Sequence, residues 1–224
     1  MLLRGYGLMS NDHIDEHEQG ERVRKWLRDN GASMLGGVAI GLSAIVGFQF
    51  YQGQQDAHRL EAAMQFERFV TAQESGESDS AEGIAAALAA DYAETPYPAL
   101  AALRRSSALL ADGKTEDALK ALDGAVAFAI DPSLKEVLVL RAARLEVILG
   151  RHDAALKRLE GVDLAGYVAL RDELKGDAFT GQGKRDEARD AYQSALTATD
   201  SASPTRVLIE LKLANAGGSI GPEA

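Results

Sequence analysis

The sequence contains no cysteine, which excludes disulfides, thiolate nucleophiles and cysteine-ligated zinc. A cysteine-free chain is compatible with either a reducing or an oxidising compartment. Proline is scarce, 5 in 224 residues, and aromatics make up only 6%. β-branched residues are also few: Val, Ile and Thr together number 26, against 39 Ala and 28 Leu. Ala and Leu are the strongest helix formers, whereas β-branched residues favour strands, so the balance predicts an all-α protein. Positive charge is in deficit, with 24 Lys+Arg against 34 Asp+Glu and a net charge of −10. A phosphate backbone would be repelled, which argues against nucleic acid as a partner. Catalytic patterns are missing too. There is no nucleophile elbow and no phosphate-binding loop; Gly217-Gly-Ser-Ile-Gly221 has no strand before it and no helix after it. His13-Ile-Asp-Glu-His17 has the i, i+4 spacing of a helical metal site, but it sits in an acidic tail and lacks the HExxH order. His58 and His152 stand singly near helix ends. The expectation is a non-catalytic protein with no metal and no cofactor.

One segment is short of charge altogether. Residues 30–55 carry none, and residues 32–51 hold 13 apolar or aromatic side chains, four Gly, two Ser and one Gln. Twenty helical residues span about 30 Å, the thickness of a bilayer core. A cleaved signal peptide would start near the N-terminus and end at small residues. Here about thirty residues precede the run and Phe48-Gln-Phe-Tyr51 closes it, which fits an uncleaved anchor in membrane lipid. Arg22, Arg24, Lys25 and Arg28 precede it, whereas the twenty residues after Gln55 hold only Arg59 and Arg68. Basic residues stay on the cytoplasmic side, so the reading is a cytoplasmic tail (1–31), a membrane span (32–51) and an exported domain (56–216), which in a bacterium means an inner-membrane anchor and a periplasmic domain. Residues 217–224 read as a flexible C-terminal tail. Trp26 and the Phe48, Phe50, Tyr51 group occupy the places of interfacial aromatics. Gly37 and Gly41 form a GxxxG pair, the spacing that docks a second helix in lipid.

The remainder is dominated by a repeat. Gly113-Lys-Thr-Glu-Asp-Ala118, Gly150-Arg-His-Asp-Ala-Ala155 and Gly183-Lys-Arg-Asp-Glu-Ala188 share a glycine, a basic residue and an alanine five places after the glycine. They recur after 37 and 33 residues, each between two helical runs. The glycine supplies a positive φ for the turn and the alanine lets the second helix approach the first. The runs are 99–111, 116–129, 134–149, 154–159, 168–180 and 187–198. Two earlier helices, 56–73 and 81–93, flank the polar break Glu74-Ser-Gly-Glu-Ser-Asp-Ser80, and a capping helix closes the array over 205–214. Helix 134–149 is apolar nearly all round, as a sandwiched helix would be. The pattern resembles the tetratricopeptide repeat, with its period of about 34 residues. An N-terminal transmembrane helix followed by a tetratricopeptide-repeat-like α-solenoid is therefore expected.

In such stacks the first helix of each pair lines the concave side, where partners bind. Phasing by the three turn glycines places Ser107, Leu110, Leu140, Arg144, Val147, Glu173 and Asp177 there. Apolar and charged groups mixed in this way suit a peptide segment with an apolar anchor.

The layout as a whole is similar to the YfgM-like ancillary subunits of the bacterial Sec translocon. The similarity runs from Met9 to about residue 216. It includes Lys25-Trp-Leu-Arg-Asp-Asn-Gly31, the span glycines Gly36, Gly37 and Gly41, Tyr97-Pro-Ala-Leu-Ala-Ala-Leu103, and above all residues 173–192 with Gly176, Gly183 and Tyr192. Residues 1–8 precede the pattern, which makes Met9 the expected natural start. The resemblance implies a non-catalytic inner-membrane protein associated with the Sec translocon and with a membrane-anchored periplasmic chaperone of the prolyl-isomerase type, assisting exported client proteins. The repeats taken alone would equally fit a scaffold for another cell-envelope complex.

Overall fold

The computed structural model of the chain describes residues 12–127 and 129–218, with side chains from residue 19 onward. Every regular element among the described residues is helical. The chain divides into two compact units, Met1–Ala57 and His58–Ala224. A single helix, α1 (Asp12–Glu74), runs through the boundary.

In the first unit no side chain is buried between residues 19 and 57. Leu35 is 72% exposed, Ile40 73% and Phe50 69%. Water would penalise such a surface by about 25 cal/mol per Å² of apolar area, so lipid is its proper solvent. This helix is long and apolar enough to cross a membrane. Trp26 and Tyr51 lie 25 residues apart, about 38 Å along the axis, which spans a hydrocarbon core and reaches the headgroup layer on both sides.

The second unit is a row of antiparallel helix pairs. The end of α1 pairs with α2 (Ser78–Asp91), α3 (Tyr97–Ala111) with α4 (Thr115–Val126), α5 (Pro132–Ile148) with α6 (His152–Leu159), and α7 (Val168–Gly181) with α8 (Arg185–Ala198); α9 (Arg206–Asn215) follows. Gly113, Gly150 and Gly183 have φ of 77°, 75° and 75°, the left-handed conformation that favours glycine. In each turn the residue after the glycine donates its N–H to the carbonyl four residues before the glycine: Lys114 to Leu109, Arg151 to Glu146, Lys184 to Phe179. This is the Schellman closure of a helix C-terminus. The same closure occurs at two glycines the repeat pattern did not include. Gly76 (φ 74°) is followed by Glu77 N–H to Ala72, and Gly217 (φ 86°) by Gly218 N–H to Leu213. The glycines thus recur at 76, 113, 150, 183 and 217, so the polar break at 74–80 is itself a repeat turn. Ala81, five residues after Gly76, is buried like Ala118, Ala155 and Ala188.

Asp131 caps α5 by accepting from Leu134 N–H at 2.8 Å, and Pro132 opens the helix with its fixed φ. α5 is sandwiched as expected. Leu138, Ala142 and Leu145 pack with Leu119 and Leu122 of α4 on one side. Leu140 and Ala143 pack with Leu159 of α6 and Leu174 of α7 on the other. Fully buried leucines of this kind contribute about 1.5–3 kcal/mol each. α9 covers the end of the stack with Ile209 and Leu213, while Val207, Leu208 and Leu211 stay exposed.

Candidate protein-binding surface

The first helices of the pairs carry all seven candidate groove residues, but the structure does not gather them on one surface. Ser107 and Arg144 are exposed, and Leu110 is 40% exposed. Val147 is half-buried against the α5–α7 core. Leu140 is 2% exposed within that core, so it holds helices together and presents nothing to a ligand. Glu173 and Asp177 are occupied. Lys212 of α9 donates to Glu173 Oε1 at 2.6 Å and to Asp177 Oδ2 at 2.8 Å. The Tyr192 hydroxyl donates to Asp177 Oδ1 at 2.9 Å, with Thr180 Oγ1 3.1 Å away. Burial first, and then the Asp177 carboxylate, push the Tyr192 phenol above its ordinary pKa despite the Thr180 bond, so it remains a donor. The capping helix therefore occupies the third repeat's candidate residues. The residue pattern shows that Glu173 and Asp177 are charged; it does not show a partner 35 to 39 residues further along the chain.

What remains open lies nearer the N-terminal end of the second unit. A groove of about 590 Å³ is lined by Phe66 and Gln73 of α1, Leu100, Leu103, Arg104 and Ser107 of α3, and Arg141 of α5. Ser107 donates to the Leu103 carbonyl at 2.9 Å, which fixes its hydroxyl to accept from Arg141 Nη1 at 3.3 Å. Arg104 is held by Glu74 at 3.1 Å. Phasing by glycines sets Arg144 opposite Ser107, yet Arg141 makes the contact, three residues earlier. At this contact the α3–α5 pairing departs from the glycine phasing by three residues, about one helical turn. That displacement takes Arg141 out of the expected set; Leu103 lies one turn before Ser107 on α3, and Phe66 lies on α1, which the phasing of the three later pairs does not reach.

The surrounding scaffold is tied by partly buried ion pairs. Arg158 of α6 forms a bidentate pair with Glu146 (2.9 and 2.6 Å) and reaches Asp123 at 2.8 Å, joining α4, α5 and α6. The Glu146 bonds hold the Arg158 guanidinium above its ordinary pKa. Asp172 accepts from Arg171 (2.7 and 3.1 Å) and from Ser194 (2.7 Å). Burial opposes its ionisation, but those bonds and the nearby Arg171 and Lys175 charges outweigh burial and lower its pKa. Glu136 accepts from the N–H groups of Asp163 and Leu164, anchoring the loop that enters the short 3-10 turn at Ala165–Tyr167.

The other candidates are located as follows. Ideal Cβ atoms at Gly37 and Gly41 would meet nothing within 4 Å. His58 Nε2 lies 2.6 Å from Glu94, and the ring lies tilted against Tyr92 with centroids 4.7 Å apart. His152 packs its ring against Gly181, where a Cβ would come within 2.2 Å. Among the described residues no group of three His, Asp or Glu converges as a metal site would. His13 and His17, residues 1–8 and most of the C-terminal tail lie outside the residues whose side chains are described.

A family model for the tetratricopeptide repeat-like domain matches residues 24–218. The ancillary SecYEG translocon subunit of Escherichia coli K12 is 30% identical over 201 residues, covering 90% of this chain and 96% of that protein. The protein of the same name in Haemophilus influenzae Rd is 21% identical over 182 residues, covering 81% and 89%. Among solved structures, MamA (41-end) of Desulfovibrio magneticus RS-1 shares the fold, with a TM-score of 0.53 and 18% identity over 70% of this chain and 83% of that one. The match takes in the apolar helix, the repeats and the capping helix together, so the chain belongs to the family of ancillary SecYEG translocon subunits built on a tetratricopeptide repeat-like domain.

Proposed function

We propose that this protein is a non-catalytic, membrane-anchored module of the Sec translocon that links it to a periplasmic chaperone of the membrane-anchored prolyl-isomerase type and so assists exported proteins. The observation that carries the reading is the relative named for SecYEG, matched over 96% of its length and through both the span and the repeats. In this reading the N-terminus is cytoplasmic and His58 onward is periplasmic, because Arg22, Arg24, Lys25 and Arg28 precede the span. Gly37 and Gly41, bare of neighbours, offer a face on which a second transmembrane helix can dock. The exposed groove beside Ser107 and Arg141 receives a polypeptide partner. The test is isolation of the tagged full-length chain from membranes in mild detergent, with quantitative mass spectrometry of what accompanies it. SecY, SecE, SecG and a membrane-anchored prolyl isomerase are expected well above a tagged control. Recovery of a different envelope complex with no translocon subunit would replace this reading with a general scaffold.

A further inference from the structure

Charge is distributed unevenly over the second unit. After Gln55 the chain holds 28 acidic and 19 basic residues, and seven of the ten arginines in α3–α9 meet a carboxylate. Arg141, Arg144 and Arg185 do not, and of these Arg141 and Arg144 are neighbours on one helix. Among the described residues Arg141 contacts only the neutral Ser107 hydroxyl, and Arg144 makes no ion pair. They lie three residues apart on α5, where like charges repel. Ile148, 59% exposed, continues the same face, and Leu110, 40% exposed, ends the adjoining face of α3. Leu100, Leu103 and Phe66 supply the apolar side of the groove. Glu74, at the groove's edge, is engaged by Arg104.

Two adjacent guanidiniums without counter-charges, in a protein with acid to spare, mark a surface whose complement comes from outside. We propose that the groove between α1, α3 and α5 binds an extended peptide segment in which Asp or Glu stands beside an apolar side chain. The carboxylate takes bidentate bonds from Arg141 or Arg144, a geometry for which guanidinium is suited. The apolar side chain lies against Leu103 and Phe66. The groove volume falls within the roughly 300–1,000 Å³ of clefts that enclose short ligands. The surrounding negative charge repels segments that merely approach elsewhere, so selection comes from the groove. This inference rests on the reading of the groove as a partner site and adds the chemistry of what it takes.

The experiment pans a random octapeptide library against the full-length chain in nanodiscs, and then measures one enriched synthetic peptide by fluorescence anisotropy. Enriched sequences are expected to pair Asp or Glu with Leu, Ile or Phe. Arg141→Glu with Arg144→Glu is expected to weaken the peptide about ten- to a hundredfold, the range of a charge-assisted bond. Arg141→Gln with Arg144→Gln should fall between, and it serves if the charge reversal fails to fold. Lys120→Glu with Arg185→Glu, the same charge change on exposed α4 and α8 positions, should leave the affinity unchanged. Because the chain lacks cysteine, Ser107→Cys introduces a single thiol in the groove, and the peptide should protect it from alkylation. Protection by peptides with no acidic preference, or by basic ones, would overturn this inference and leave the groove reading standing. If no peptide protects the thiol, the groove reading itself fails, and this inference with it.

Discussion

Gly176 and Tyr192 show how little room single positions have. A Cβ on Gly176 would lie 2.3 Å from Tyr192 Cε1, and that ring is 2% exposed and tethered through its hydroxyl. Gly176→Ala is expected to lower stability by about 1–3 kcal/mol through overpacking. Gly124, exposed near the end of α4, would meet nothing with its Cβ. Gly124→Ala should therefore stabilise by up to about 1 kcal/mol, as the better helix former. Thermal melts of the two variants should move in opposite directions. Asp172 gives a pH signature. Its folded pKa lies below the ordinary 3.8, so its contribution is fully present above that value and is lost as pH falls below it. Asp172→Asn should be less stable than wild type at neutral pH, and the difference should shrink below about pH 4. A constant difference across the titration would remove Asp172 from the account of stability.

At the scale of elements, five Schellman turns repeat one solution to ending a helix and reversing the chain. Three of them were readable because a basic residue follows each glycine and an alanine lies five places on. The turn at Gly76 escaped because Glu77 stands where a base is expected, although Ala81 kept the alanine position. Helix existence, the sandwiching of α5 and the cap α9 were legible from periodicity. The open part of the groove was not, because it depends on a one-turn offset between α3 and α5 and on where Lys212 lands. Lys212 now carries the element-scale prediction. Lys212→Ala leaves the buried Glu173 and the half-buried Asp177 without their cation, at a cost of about 2 kcal/mol or more. α9 should then exchange its amide protons faster than α5. Equal protection of the two helices in hydrogen exchange would show that the cap is held by Ile209 and Leu213 alone.

The whole molecule joins two solvents in one chain: an apolar stretch of α1, residues 30–55, with no buried side chain, and a packed helical domain whose acids outnumber its bases. The basic residues before the span set its orientation in this account. A periplasm-dependent reporter fused after Ala224 should be active and a cytoplasm-dependent one inactive; the reverse pattern would invert the topology. The central claim is that the chain sits at the translocon, and site-specific photo-crosslinking in living cells tests it most directly. Photoreactive residues are placed one at a time at the exposed positions Leu35, Val38, Leu42 and Ile45 of the span, and at Ser107 and Leu110 of the groove. The account predicts an adduct with a SecYEG subunit from at least one of these positions. A complete set of well-expressed variants that gives no such adduct would contradict it.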